Sequence, residues 1–186
     1  ANALGDVTIQ ATAGSILDDE ALLASTTVIT GDVVTLTAAN GIGTATTNVD
    51  TTANSLDVSV TAAGLINLAE TNAVTLTAVD TFDGAITLTT GGATTVTNVT
   101  ATSGAGGDAN DISITASAGA ITVTTVNNAN ALGDVTIQAT AGSILDGNLA
   151  VLNITADALS LTAANGIGTI TDFATAAGDP IEIAVN

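Results

Sequence analysis

The chain has 186 residues with 18 Asp and Glu and no Lys, Arg, His, Cys, Met, Trp or Tyr, for a formal charge of −18. That inventory excludes Ser-His-Asp and Cys-His nucleophiles, Schiff-base lysines and imidazole or thiolate metal centres. It also leaves nothing to hold phosphate backbones or anionic headgroups, so no nucleic acid and no membrane surface is expected as a partner.

Taken in chain order, one short phrase recurs. It reads VTIQATAGSI from Val7, VTLTAANGIG from Val34, VSVTAAGLI from Val58 and VTLTAVDTFDGAI from Val74. A weaker form, TVTNVTATSG, surrounds Val96, and ISITASAGAI from Ile112, VTIQATAGSI from Val135, LSLTAANGIG from Leu159 and IEIAVN from Ile181 complete the series. A longer repeat overlies it. ANALGDVTIQATAGSILD at residues 1–18 returns unchanged at 129–146, and LTAANGIGT at 36–44 returns at 161–169, a unit of roughly 125–128 residues.

Successive phrases start roughly 16–27 residues apart, about 22 on average, which is the length of one solenoid coil. Immunoglobulin-like sandwiches need about seven strands in roughly 100 residues and have no reason to reuse one phrase within a unit. The expected fold is therefore all-β: a parallel β-helix, or β-solenoid, of eight to nine coils, with residues 1–186 forming a single elongated segment. No apolar run reaches the roughly 20 residues of a membrane span, so no membrane insertion is expected.

Strand alternation sorts the side chains. It predicts one inward column of Val7, Val34, Val58, Val74, Ile112, Val135, Leu159 and Ile181. A second holds Ile9, Leu36, Val60, Leu76, Ile114, Ile137, Leu161 and Ile183. Phe82 and Phe173 are the only aromatics, so the core should be narrow and aliphatic. Gly14, Gly41, Gly64, Gly84, Gly119, Gly142 and Gly166 follow the Ala-rich stretch, where the chain must bend and a positive φ favours glycine. Second strands follow the bend, as in Ile86–Leu88 and Ile121–Val123.

The outward positions predict one flat hydroxyl and amide face. One column is Thr8, Thr35, Ser59, Thr75, Ser113, Thr136 and Ser160. Beside it lie Gln10, Thr37, Thr61, Thr77, Thr115, Gln138 and Thr162. Such a face suits exposed β-branched strands with hydroxyl ladders. It also resembles the Thr-x-Thr face of antifreeze solenoids, and it offers a surface for lateral packing or adhesion.

Acids gather at strand entrances: Asp6, Asp57, Asp111 and Asp134 directly before a triplet, Asp32 and Asp157 two residues before. Stacked carboxylates about 5 Å apart repel by roughly 1 kcal/mol per pair in water, so they require screening, hydrogen-bond donors or a hard cation. Asp80, Asp83, Asp108, Asn110 and Asp111 are the candidate calcium ligands, because Gly106–Asp111 resembles one nonapeptide of the calcium-binding RTX β-roll. Ala109 replaces the middle glycine of that motif. Two acids on a β-helix also suit polysaccharide cleavage, but basic and aromatic sugar subsites are missing, so no enzyme is expected. Asn98-Val99-Thr100 and Asn153-Ile154-Thr155 fit the glycosylation pattern.

The phrases DVTIQATAGSILD, DVVTLTAANGIGT and NAVTLTAV resemble the repeat regions of bacterial filamentous-haemagglutinin-type exoproteins and giant surface adhesins. That resemblance covers essentially the whole chain. It implies a right-handed parallel β-helix shaft, secreted to the cell surface and used in adhesion, biofilm or contact between cells. Coil edges without a visible cap predict the chain itself as partner, through continuation of the repeat or end-to-end stacking. Lateral bundling by divalent cations and resistance to proteases, trypsin-like ones above all, are the further expectations. The alternative reading is a binding module whose Thr-rich face or acidic turns hold calcium, carbohydrate or ice.

Overall fold

The computed structural model describes residues 4–18, 29–102, 110–168 and 180–185. In chain order the strands are β1 (Val7–Ala11), β2 (Ser15–Ile16), β3 (Ile29–Ala38), β4 (Gly41–Ile42), β5 (Val49–Ala63), β6 (Ile66–Glu70) and β7 (Val74–Asp83). There follow β8 (Ile86–Thr90), β9 (Thr94–Val96), β10 (Val99–Ala101), β11 (Ile112–Ala116), β12 (Ile121–Val123) and β13 (Val126–Asn128). The last are β14 (Val135–Ala139), β15 (Ser143–Asp146), β16 (Ile154–Ala156), β17 (Leu159–Ala163), β18 (Gly166–Ile167) and β19 (Ile183–Val185). Every pairing is parallel, and all belong to one continuous sheet wound as a β-solenoid of about six turns. Among the described residues no helix is long and apolar enough to cross a membrane.

Two walls enclose the core. The base wall stacks β2, β4, β6, β8, β11, β14 and β17, aligning Ile16, Ile42, Ile66, Ile86, Ile112, Val135 and Leu159. The folded wall begins as the single strands β1, β3, β5 and β7, of which β5 starts on the base wall, where Val49–Thr51 pair with β6. It then divides into a leading half (β9, β12, β15, β18) and a trailing half (β10, β13, β16, β19). Its leading column is Val7, Val34, Leu56, Leu76, Val96, Val123 and Asp146. Its trailing column is Ile9, Leu36, Val58, Val79, Val99, Val126, Ile154 and Ile183.

One residue creates the crease between the halves. Leu56 pairs with Leu76 but Asp57 with Ala78, so β7 carries Thr77 as an extra residue and bends there. The next turns keep the bend as Thr97-Asn98 and Thr124-Thr125, which separate the strands of the two halves.

Alternation dictates the core as expected: β8 and β14 each bury every second residue completely or nearly so. Ile66, Leu76, Ile86, Ile112, Ile121 and Ile137 have no exposed surface, each contributing about 1.5–3 kcal/mol by leaving water. Phe82 lies outside, 54% exposed.

Two expectations are corrected. The phrases do not share one column, since those from Val7 and Val34 lie on the folded wall while those from Ile112, Val135 and Leu159 lie on the base wall. Two phrases can thus belong to one turn, and eight or nine coils become about six. Val58 stacks on Leu36 and Val79, and Leu76 on Leu56 and Val96, one column away from their expected places. The second correction concerns glycine. Gly41, Gly119 and Gly166 have positive φ, but Gly14, Gly64, Gly84 and Gly142 do not. The last three are needed for close approach: a Cβ on Gly142 would lie 1.9 Å from the Gly119 carbonyl oxygen of the turn beneath.

Candidate functional surface

The entrance acids do not form one stack: Asp111 and Asp134 follow one another just before the paired Ile112 and Val135, whereas Asp57 lies within β5 between Thr35 and Ala78. Three of the carboxylates bond the backbone of the neighbouring turn. Asp6 Oδ1 accepts the amide of Val33 at 3.3 Å, Asp111 Oδ1 that of Asp134 at 3.1 Å, and Asp134 Oδ1 that of Ala158 at 3.1 Å. A carboxylate at the mouth of a strand therefore caps an amide that would otherwise face solvent at the corner. Asp32 instead accepts from Asn54 Nδ2 at 2.7 Å.

The calcium candidates are drawn into similar bonds. Asp80 Oδ2 accepts from Ser59 Oγ at 2.8 Å, and Asp83 Oδ1 from Asn110 Nδ2 at 3.0 Å. Asn110 is buried, and its carbonyl accepts from Asn128 Nδ2 at 2.8 Å. Asp83 and Asn110 are thus brought together, Asp111 faces the next corner, and Asp80 stands on the outer face of β7 opposite Ser59. Asp108 lies outside the described residues. Among the described residues no three acidic side chains are grouped to hold a metal ion.

Two buried polar centres escaped the reading of the sequence. Glu70 is 4% exposed. Its carboxylate accepts from Thr51 Oγ1 at 2.6 Å, from the amide of Ala53 through both oxygens, and from the amide of Asn72 at 3.2 Å. It plugs the corner where the base wall turns into the folded wall. Asn153 is 1% exposed and anchors the crease between β15 and β16. Its Nδ2 donates to Val123 O, Asp146 Oδ1 and Asn148 Oδ1 at 2.7–2.8 Å, and its Oδ1 accepts the amide of Glu182 at 2.9 Å. A glycan on Asn153 is incompatible with these contacts. Asn98, partly exposed, accepts from Thr100 Oγ1 at 3.2 Å within its own acceptor triplet. A signal for Glu70 was present, an acid at the inward position of Ile66-x-Leu68-x-Glu70; for Asn153 there was none.

The predicted hydroxyl face is divided between the walls. Thr8, Gln10, Thr35 and Thr37 project from the folded wall, in the same ladder as Asp57 and Asp80. The base wall carries the other part. From β6 to β17 its outward columns are Asn67, Thr87, Ser113, Thr136, Ser160 and Ala69, Thr89, Thr115, Gln138, Thr162, in unbroken register. No acid lies on those ten positions in a chain of charge −18. Rungs about 4.8 Å apart and hydroxyls two residues, about 6.6 Å, apart along each strand form a flat neutral lattice.

A shallow dent of about 120 Å³ between β14 and β17 is lined by Asp134, Val135, Thr136, Ala158, Leu159 and Ser160. It is smaller than the roughly 300–1,000 Å³ of small-molecule sites. Comparison of the chain with protein-family models, curated proteins and solved structures finds no match. The chain is a parallel β-solenoid repeat protein.

Proposed function

We propose that the chain is a structural section of an extracellular filament or adhesin shaft, of the bacterial exoprotein kind its phrases resemble, with copies of itself as partners. The observation that carries this reading is the interchangeability of the walls. The phrase VTIQATAGSI lies on the folded wall and then the base wall at residues 7–16, but on the base wall and then the leading half at 135–144. Its bonds to the following turn are nevertheless repeated: Asn40 N to Gly14 O and Asn165 N to Gly142 O are both 3.0 Å. The pair Gly43 N to Ile16 O and Gly168 N to Ile144 O measures 2.9 and 2.8 Å. The φ angles of Gly41 and Gly166 are 143° and 139°. A turn that fits either wall can be added without limit, which is the property a shaft requires. The acids and the absence of basic residues give such a shaft a repulsive surface with no trypsin site.

Electron microscopy and proteolysis test the reading together. Thin rods that survive a broad-specificity protease support it, while compact particles digested as fast as a flexible control chain contradict it. A second reading, a binding module, draws on the neutral base wall, whose lattice suits an uncharged ordered partner such as an insoluble polysaccharide or ice. Co-sedimentation with neutral polysaccharide, or retention on an ice surface, that is lost on Thr136→Asp would favour it. The acidic turns lend calcium less support, because their carboxylates already cap backbone amides.

A further inference from the structure

The eighteen-residue segment occurs twice, and among the described residues its second copy alone has a turn on both sides. There β14 lies between β11 and β17, and β15 between β12 and β18. In the first copy β1 pairs with β3 and β2 with β4, and among the described residues nothing lies along their other edge. We propose that this edge is a docking edge for a second copy of the chain's repeat unit, which it accepts through a turn of the sequence Asp111–Asn128. The inference rests on the shaft reading and names its joint.

Three observations carry it. The edge groups of residues 7–18 are identical in sequence to those of 135–146, which bind that turn in the register Ile112–Val135, Ile114–Ile137, Ala116–Ala139 and Ile121–Ile144. Transposed by 128 residues, Ile112 meets Val7, Ile114 meets Ile9, Ala116 meets Ala11 and Ile121 meets Ile16. Those four acceptors point inward yet remain half-buried, whereas Val135, Ile137, Ala139 and Ile144 are fully buried. Finally, a Cβ on Gly14 would meet nothing within 4 Å, while one on Gly142 would strike Gly119 O. Nothing described in its surroundings requires glycine at position 14, but a docked 111–128 turn does.

The geometry also sets the rotation of the joint. From Ile9 the trailing column climbs five turns to Val126, and the chain then passes one wall further to reach Ile137, the residue equivalent to Ile9. Successive units therefore stand one wall round from each other, advancing about 25 Å along the axis at strand spacing.

The test uses the full chain and a synthetic peptide of residues 111–128, read by amide hydrogen exchange. Strand addition predicts saturable slowing of about tenfold at the Val7–Ala11 amides not bonded to β3. Gly14→Ala should keep the parent's thermal midpoint and lose the effect. If the peptide self-associates, the same residues fused ahead of Ala1 recreate the native Asn128–Ala129 junction and give the same readout. Unchanged exchange at Val7–Ala11, protection confined to Leu159–Ala163, or full binding by Gly14→Ala would each overturn the proposal. Such a failure leaves rods in the microscope untouched, whereas failure of the shaft reading shows there first.

Discussion

Gly14 and Gly142 stand at the same place in two copies of one segment, and only their neighbours differ. Gly142→Ala drives a methyl into the carbonyl of Gly119 and is expected to cost about 3 kcal/mol in urea unfolding. Gly14→Ala meets open space and should stay within about 0.5 kcal/mol of the parent. Equal losses at the two sites would mean that local turn conformation, not stacking, decides the residue. Asn153→Ala is expected to cost about 3 kcal/mol by the same measurement, because it removes the buried bonds to Val123 O and Asp146 Oδ1 and takes away the acceptor of the Glu182 amide at the crease. A loss under about 0.5 kcal/mol would show that water replaces those bonds. The aliphatic columns and the recurring glycines could be read from spacing. Glu70 and Asn153 could not be placed, since their partners come from turns 17 to 30 residues away.

At the scale of the strand, alternation told inside from outside but not one wall from the other. VTLTA at Val34 and LSLTA at Leu159 have the same period, the same small outward residues and the same Ala-Asn-Gly turn, yet they lie on different walls. What separates them is the number of residues per turn, which alternation within one strand does not report. Thr77 sets a different feature, the crease in the folded wall. Its deletion forces either Leu76 or Val79 out of its column, and a one-residue slip exposes an entire inward set. The deletion variant should lose its cooperative thermal transition or melt far below the parent, while Thr77→Ser stays within about 0.5 kcal/mol. A deletion that melts like the parent would show that the crease is not set there. The hydroxyl face was predicted whole and is divided for the same reason, because its rows were assigned to walls by phrase alone.

For the whole molecule, 18 acids without a basic partner make repulsion the largest long-range force. Raising ionic strength from about 0.01 to 0.15 M shortens the screening length from about 30 to 8 Å, so the thermal midpoint should rise with sodium chloride. A midpoint that falls or stays level would mean that the backbone caps on Asp6, Asp111 and Asp134 already offset the repulsion. Stacking is what opposes that force. Each added turn contributes its own aliphatic layer, so the solenoid gains stability with length as a one-dimensional array does.

The central claim is that the phrases are divided between two walls in about six turns, and one pair of engineered disulfides tests it in a chain that has no cysteine of its own. Thr87 and Ser113 are register neighbours on the base wall, at the strand spacing that a disulfide can bridge. Thr75 and Ser113 would be neighbours only if every phrase shared one column; in the solenoid Thr75 pairs with Ser55 and Thr95. Under mild oxidation Thr87→Cys/Ser113→Cys should close completely and raise the melting temperature, while Thr75→Cys/Ser113→Cys stays reduced within the monomer. Closure of the second pair and not the first would contradict the two-walled solenoid.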